Sequence, residues 1–252
     1  MEMVFITALG VGGATVFGAL LGFIFKNISH KFSDIILGFA AGVMLSASVL
    51  GLIVPSLERG GSFGIYVTIT GIFFGALMLN LIDKLVPHLH SMTGAEQEAH
   101  PHINAKTDKI MLFVTAIAIH NLPEGIAAGV GFGTDNISEA LTIAGGIALQ
   151  NSPEGMVIIG PMLACGMTKK RTFITAALTG IVEIFGTLVG FFAVSISNVI
   201  LPFFLAFAGG TMLYVISDEM IPETHAHGSE RGATYSLIAG FCLMLLVDFF
   251  LS

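Results

Sequence analysis

The chain has 252 residues, of which 54% are hydrophobic and 11% are charged, and its formal net charge is −7. Soluble domains carry about 25% charged residues, so this composition excludes an ordinary soluble domain and indicates a chain surrounded mostly by lipid. A nucleic-acid partner is also excluded, because the sequence contains no basic stretch large enough to hold one. Several acidic residues lie inside apolar runs, where charge is usually compensated, so the net charge says little about partners.

Eight apolar segments dominate the sequence. A membrane-spanning helix needs about 20 mostly apolar residues, and the segments that meet this requirement are 4–25, 35–57, 63–85, 110–131, 138–164, 172–194, 198–221 and 232–251. We therefore predict an all-α integral membrane protein, with residues 1–252 forming one transmembrane domain. The first segment lacks a basic start and a small-residue cleavage site, so we expect it to be retained rather than removed as a signal peptide.

Positive charges predict the orientation of these spans, because Lys and Arg collect in cytoplasmic loops. Nine of the ten cationic residues flank the connections that follow odd-numbered spans: Lys26, Lys31, Lys84, Lys106, Lys109, Lys169, Lys170, Arg171 and Arg231. Arg59 alone follows an even-numbered span. The pattern predicts both termini outside and the connection 87–108 in the cytoplasm.

The connection 87–108 is the one long loop that the sequence predicts. It has too few apolar residues to pack a core, so we expect it to be flexible. Its histidines are either weak ligands for cytosolic metal or ordinary loop residues; they are His88, His90, His100 and His102. The two cysteines, Cys165 and Cys242, fall in different hydrophobic segments and are predicted to be free thiols.

Spans four and five carry the same polar motif, HNLPEG at residues 120–125 and QNSPEG at residues 150–155. His120 and Glu124 lie roughly 15 to 21 Å from the cytoplasmic start of span four, near the middle of a hydrocarbon core about 30 Å thick. The second motif reaches a similar depth from the outer side. Because the two spans run in opposite directions, we predict an inverted repeat about a two-fold axis in the membrane plane.

The spacing within each motif predicts a shared cation site. Residues four apart lie on one helix face, so His120 stacks with Glu124 and Gln150 with Glu154. If these faces oppose each other, an imidazole, an amide oxygen and two carboxylates converge. That is a ligand set for a divalent transition metal.

Three more polar residues are predicted at this depth. Asn121 and Asn151 lie about 100° round their helices from the first motif residues, and Glu183 is near the midplane in span six. Each asparagine alone is explained equally well by helix packing, whereas intramembrane carboxylates are costly and usually functional. Pro123 and Pro153 each remove a backbone donor, so we expect kinks that leave carbonyl groups unpaired near the site.

The two motifs, followed by Glu183 in span six, resemble those of the ZIP (Zrt/Irt-like) family of divalent metal transporters. The resemblance extends over the whole chain, including eight spans, outside termini and a histidine-bearing loop between spans three and four. It implies uptake of zinc and related ions towards the cytoplasm through a site that holds two adjacent metal ions. The ligands implied for the first ion are His120, Glu124, Gln150 and Glu154. Those implied for the second ion are Asn121, Glu124, Asn151, Glu154 and Glu183.

The resemblance also implies a location, a movement and partners. The expectations are a bacterial inner membrane, an elevator-like sliding of spans one, four, five and six, divalent metal ions and the lipid bilayer as partners, and a homodimer. Metal is then the transported substrate, and no catalytic cofactor is expected. Gln150 stands where many members have a second histidine. In this respect the chain is similar to the prokaryotic, GufA-like branch, which also has glutamine there. Because an amide oxygen is a harder and weaker ligand than imidazole, we expect zinc, cadmium, iron and manganese to be accepted.

Further polar positions outside the motifs are candidates for the ends of the pathway. At the cytoplasmic end of span seven they are Asp218, Glu219, Glu223 and His225; an ordinary solvated helix end is the alternative. Asp248 near the outer end of span eight either attracts cations or merely faces water. Met44 in span two is either a soft transient ligand or an ordinary core residue.

Two other functions compete with carrier transport. A membrane-embedded metalloenzyme, such as a protease or lipid hydrolase, needs a three-ligand site with an open water position. The sequence has no HExxH motif, and His120 is its one histidine in a predicted span. A passive channel for the same ions is not distinguished from a carrier by sequence.

Overall fold

The computed structural model describes residues 1–25, 29–85, 107–133, 136–164, 166–195 and 199–251. Within these ranges the regular structure is entirely helical. The helices are α1 Glu2–Ile24, α2 His30–Ser46, α3 Val54–Arg59, α4 Gly64–Leu85, α5 Thr107–Gly131, α6 Ile137–Val157, α7 Ile159–Ala164, α8 Lys169–Ser195, α9 Leu201–Val215, α10 Ile221–Thr224 and α11 Glu230–Leu251. This confirms the all-α class. The four loop histidines and Cys165 lie outside the described residues, whereas Cys242 is an exposed free thiol.

Two predicted span boundaries differ from the observed helices for local reasons. Helix α2 begins five residues before the predicted start at residue 35, because the Ser29 hydroxyl accepts the backbone N–H of Phe32 and caps the first turn. Predicted span five is interrupted after Val157 and continues as α7. The interruption is explained by Pro161, which has no N–H to donate to the carbonyl of Val157.

The two wide π-helical turns are each followed by a proline. Ala47–Ile53 joins α2 to α3 before Pro55, and Ile216–Met220 joins α9 to α10 before Pro222. In both places the residue just before the proline donates its N–H to the carbonyl five residues back, Val54 to Val49 and Ile221 to Ile216. Each proline lacks its own N–H, so the π turn accommodates the change in hydrogen bonding. Such turns are frequent at functional sites.

Six helical stretches of the described chain are long and apolar enough to cross a membrane. They are 2–24, 30–59, 61–82, 169–195, 201–224 and 230–250. Helices α5 and α6, which contain the two motifs, coincide with the remaining predicted spans but are not among these six. The structure therefore supports a membrane protein with six candidate spans, and the count of eight stays a prediction.

The helices pack in two groups. Helices α1, α5, α6 and α8 form the first group, in which α5 packs on α8 and α1 packs on both α6 and α8. The second group contains α2, α4, α9 and α11, with α2 on α11 and α4 on α9. A Cβ at Gly125 would lie 2.3 Å from the carbonyl oxygen of Glu183. Glycine there permits direct backbone contact between α5 and α8.

Contacts between the two groups rely more on side chains. Gly51 of the second group meets the side chain of Ile143 in α6, and Gly146 of α6 meets the side chain of Met244 in α11. Between the end of α3 and the start of α6, Arg59 donates to the Glu139 carboxylate at 2.8 Å. Arg59, the one cationic residue that departs from the predicted orientation pattern, thus has a carboxylate partner.

Candidate metal centre

The two motifs come together where α5 and α6 face each other. Gln150 Nε2 donates to Glu124 Oε1 at 2.8 Å, which joins the first motif to the second. Both side chains are almost completely buried. The Glu124 carboxylate also lies close enough to Glu154 and Glu183 for their negative charges to interact. The structure therefore brings together the two motif carboxylates and Glu183, as the depth of the residues in the sequence predicted.

His120 lies at the edge of this cluster and faces the second helix group. Its Nε2 is 2.6 Å from Glu219 Oε1, and the residue as a whole is 8% exposed. Glu219 belongs to the π-helical turn Ile216–Met220. The candidate exit residue Glu219 is thus in direct contact with a candidate metal ligand, across the boundary between the two groups.

Glu183 of α8 is held by donors from two other helices. Asn121 Nδ2 donates to Glu183 Oε1, and the Thr15 hydroxyl lies 2.8 Å from Oε1 and 2.9 Å from Oε2. All three side chains are buried. This arrangement joins α5, α1 and α8 at the predicted second metal position.

The second motif packs against α1. Asn151 is buried and its Nδ2 donates to the carbonyl oxygen of Val11 at 3.4 Å. Glu154, one helical turn further on, is only half-buried, and it interacts electrostatically with both His120 and Glu219. Glu154 therefore lies on the more open side of the cluster, next to the candidate exit.

Four oxygen atoms in this cluster are buried without a hydrogen-bond partner among the described residues. They are Asn121 Oδ1, Glu124 Oε2, Gln150 Oε1 and Asn151 Oδ1. Buried polar atoms are normally paired, and an exception needs an explanation such as an ion. Carboxylate and amide oxygens are suitable ligands for a divalent cation. All four atoms belong to the two motifs predicted to bind metal.

The side chains do not form a closed metal-binding set in this arrangement. Within the described part of the chain, no group of three or more His, Cys, Asp or Glu side chains has a geometry that would hold an ion. The carboxylates of Glu124 and Glu183 instead accept hydrogen bonds from Gln150, Asn121 and Thr15. Metal binding would require amide groups to present oxygen rather than nitrogen, and His120 to leave Glu219.

The other candidate exit residues lie at the end of the second group. Asp218 is exposed, and Glu223 is half-buried. His225 Nδ1 lies 2.8 Å from the carbonyl oxygen of Ile221, and its Nε2 lies 3.1 Å from the Thr234 hydroxyl. These contacts fix His225 between α10 and α11, so here it connects two helices.

The two candidate entrance residues have different environments. Met44 is completely buried in the apolar cluster between the two helix groups, which fits the reading of an ordinary core residue. Asp248 is half-buried near the C-terminal end of α11. Its role at an entrance stays a prediction.

Sequence reasoning missed Thr15 and Asp34. Asp34 is 3% exposed, and its Oδ1 lies 3.0 Å from His227 Nδ1 on the predicted cytoplasmic side. Thr15 is hidden in an apolar helix that contains neither motif. Its signal was the stripe of small residues Gly12, Thr15 and Gly18, which marks a helix face in close contact with neighbours.

The fold and the site together define a class of protein. The described chain contains six candidate membrane-spanning helices and a buried cluster of carboxylate, amide and imidazole groups. Ionisable groups buried between such helices usually mark the path of a substrate or ion. The chain is therefore an integral membrane protein with the kind of site that serves cation transport.

Comparison with known proteins identifies the family. The family model described as ZIP Zinc transporter matches residues 107–248. The zinc transporter GufA of Myxococcus xanthus is 39% identical, over 96% of each chain. The zinc transporter ZIPB of Bordetella bronchiseptica is 37% identical over 93% of this chain and 77% of its own, and the zinc transporter ZupT of Chlorobaculum parvum is 34% identical over 95% and 94%. The chain belongs to the ZIP family, a family of transporters rather than of enzymes.

Proposed function

We propose that this protein transports zinc and related divalent metal ions across a membrane into the cytoplasm, through a site for two ions between α5, α6 and α8. Family membership supports metal transport. The observation that carries the site assignment is the group of four unpartnered oxygen atoms in the two motifs. Metal ions would supply the partners that these buried atoms lack.

The first ion would be held by His120, Glu124, Gln150 and Glu154. Glu124 and Gln150 already contact each other, and Glu154 lies within electrostatic reach of both His120 and Glu124. The second ion would lie towards α1 and α8, with ligands Asn121, Glu124, Asn151, Glu154 and Glu183. Glu124 and Glu154 would then bridge the two ions, and two positive ions would compensate three neighbouring carboxylates.

An elevator-like carrier is the mechanism that the packing favours. Close backbone contacts hold α5 against α8 and α6 against α1, which makes the first group suited to move as one body. The boundary with the second group contains side-chain contacts, the hydrogen bond between His120 and Glu219, and the ion pair Arg59–Glu139. These contacts can be exchanged when the first group slides. The His120–Glu219 contact also offers an ion leaving the site a carboxylate ligand on the cytoplasmic path.

The remaining features of the proposal follow the sequence and the family. Eight spans, with α5 and α6 as the fourth and fifth, would place both termini outside and the loop 87–108 in the cytoplasm. The membrane would be a bacterial inner membrane, and the assembly a homodimer. The loop histidines would bind cytosolic metal weakly.

The first test is zinc uptake into liposomes that contain the purified protein and a zinc-sensitive dye. We expect uptake above that of protein-free liposomes and saturation as external zinc is raised. A turnover of roughly 1 to 100 ions per second would indicate a carrier. Uptake that stays linear with zinc concentration would instead indicate a channel, and no uptake above protein-free liposomes would contradict metal transport.

Replacing Gln150 by histidine is expected to change the preference among metals. Imidazole is a softer ligand than an amide oxygen, so Q150H should raise the preference for zinc and cadmium over manganese by about tenfold, the equivalent of about 1.4 kcal/mol. The measurement is competition of each metal against zinc in the uptake assay. If the order of preference among the metals and the ratios of their competition against zinc were unchanged, a role of Gln150 in selectivity would be contradicted.

A further inference from the structure

We infer that Thr15 of α1 is a positioning residue for the second metal ion, because its hydroxyl orients the carboxylate of Glu183. The inference rests on the proposed function and adds a residue that lies outside both motifs. The Thr15 hydroxyl lies 2.8 and 2.9 Å from the two oxygens of Glu183. Thr15 is 3% exposed and Glu183 is completely buried, so water does not replace this donor.

The direction of this hydrogen bond is unusual for a threonine within a helix. Such hydroxyls normally bond the carbonyl three or four residues earlier in their own helix. Four other buried threonines follow that rule: Thr179 bonds Ala176, Thr187 bonds Glu183, Thr211 bonds Ala208 and Thr224 bonds Ile221. Thr15 instead donates across the helix interface to a carboxylate. Its hydroxyl therefore serves Glu183 rather than the backbone of α1.

Thr15 also contacts the second motif through its backbone. A Cβ at Gly155 would lie 2.3 Å from the Thr15 carbonyl oxygen, so α6 rests directly on this residue. Asn151 donates to Val11 one turn earlier in α1. Two successive turns of α1 therefore contact both sides of the proposed second metal site: Asn151 on α6 and Glu183 on α8.

Two donors, Thr15 and Asn121, hold Glu183, but they would behave differently when metal binds. Asn121 is itself a proposed ligand of the second ion, through an oxygen that now lacks a partner. Thr15 is β-branched, so its side chain has few rotamers in a helix, and its hydroxyl can keep its bond to one carboxylate oxygen while the other oxygen turns to the ion. Outer hydrogen bonds of this kind commonly change metal affinity by about 10- to 100-fold.

The experiment compares zinc binding by the purified full-length protein and its variants, measured by titration calorimetry and by metal analysis after dialysis. Thr15→Val keeps the side-chain shape and removes the hydroxyl, so we expect the affinity of the second ion to fall at least about tenfold. The first ion should bind within about threefold of the wild-type affinity. Thr15→Ser, which keeps the hydroxyl, should recover most of the lost affinity.

Thr187→Val is the matched control, because Thr187 is also a buried threonine and its hydroxyl contacts only the backbone of Glu183 among the hydrogen bonds of the described residues. It should bind two ions like the wild type. Thermal unfolding is measured for every variant, and Thr15→Ala provides a second hydroxyl-free variant if Thr15→Val does not fold.

Two results would overturn the inference: Thr15→Val binding both ions with wild-type affinity, or Thr15→Ser losing the second ion as completely as Thr15→Val. Failure of the proposed function is recognised separately, because the wild-type protein would then take up no zinc into liposomes. Normal uptake by the wild type together with an unaffected Thr15→Val variant would reject only the role of Thr15.

Discussion

Replacing Glu124 by glutamine is expected to lower zinc uptake at least about a hundredfold. The substitution removes the one motif carboxylate that contacts Gln150 directly and that is proposed to bridge both ions. Losing an outer-sphere partner already costs about 10- to 100-fold in metal affinity, and loss of a charged ligand should cost more. Because a glutamine oxygen still accepts the hydrogen bond from Gln150, the fold should be preserved. Uptake into liposomes and zinc calorimetry are the measurements.

Glu58→Gln is the matched control for this substitution. Glu58 is exposed near the end of α3, so the same loss of charge should leave uptake within about twofold of the wild type, as is usual for surface changes. If E124Q took up zinc at a rate comparable with E58Q, the assignment of Glu124 as a shared ligand would be wrong.

Replacing Gly155 by alanine is expected to destabilise the first helix group and to impair transport together. The new methyl group would lie 2.3 Å from the carbonyl oxygen of Thr15, far closer than a van der Waals contact, so α1 and α6 must move apart. Overpacking of this kind costs about 1 to 3 kcal/mol. Separation of the two helices would also displace Asn151 of the second motif from the carbonyl oxygen of Val11. We expect a lower midpoint of thermal unfolding in detergent. We also expect zinc uptake to fall about tenfold or more, since loss of a hydrogen bond that orients a metal ligand lowers metal affinity by about this factor.

Gly145→Ala provides the control in the same helix. A Cβ at Gly145 meets no atom within 4 Å, and alanine favours a helix interior over glycine by about 1 kcal/mol. The midpoint of this variant should therefore stay constant or rise, and its uptake should be unchanged. Equal behaviour of G145A and G155A would show that the α1–α6 contact is not as close as the structure places it.

The candidate site residues could be predicted from sequence because the membrane restricts where charge can lie. A repeated string containing Glu124 and Glu154 in apolar helices has few explanations other than function. Helical periodicity then predicts which residues share a face, and the opposite direction of the two spans predicts that the motifs meet at one depth. The structure brings Glu124 and Gln150 into contact, which agrees with this reasoning.

The partners of these residues could not be predicted in the same way. The contact of His120 with Glu219 joins residues 99 positions apart, and that of Thr15 with Glu183 joins residues 168 positions apart. Such pairs depend on which helices pack together and on their rotation. Threonine is common within apolar helices. The sequence alone therefore does not show whether its hydroxyl donates to a distant carboxylate or to a carbonyl of its own helix.

The sequence by itself determined that this protein lies in a membrane, that it is helical, and that two related motifs form its polar centre. These properties follow from composition and periodicity, which act locally along the chain. Only the tertiary structure decided that α1 packs on both α6 and α8, that Glu219 contacts His120 across the boundary between the two groups, and that Thr15 holds Glu183. The physical reason is that close helix contacts depend on the complementary shapes of two helix surfaces that are far apart in sequence. The partner of either surface is therefore known only once the chain has folded.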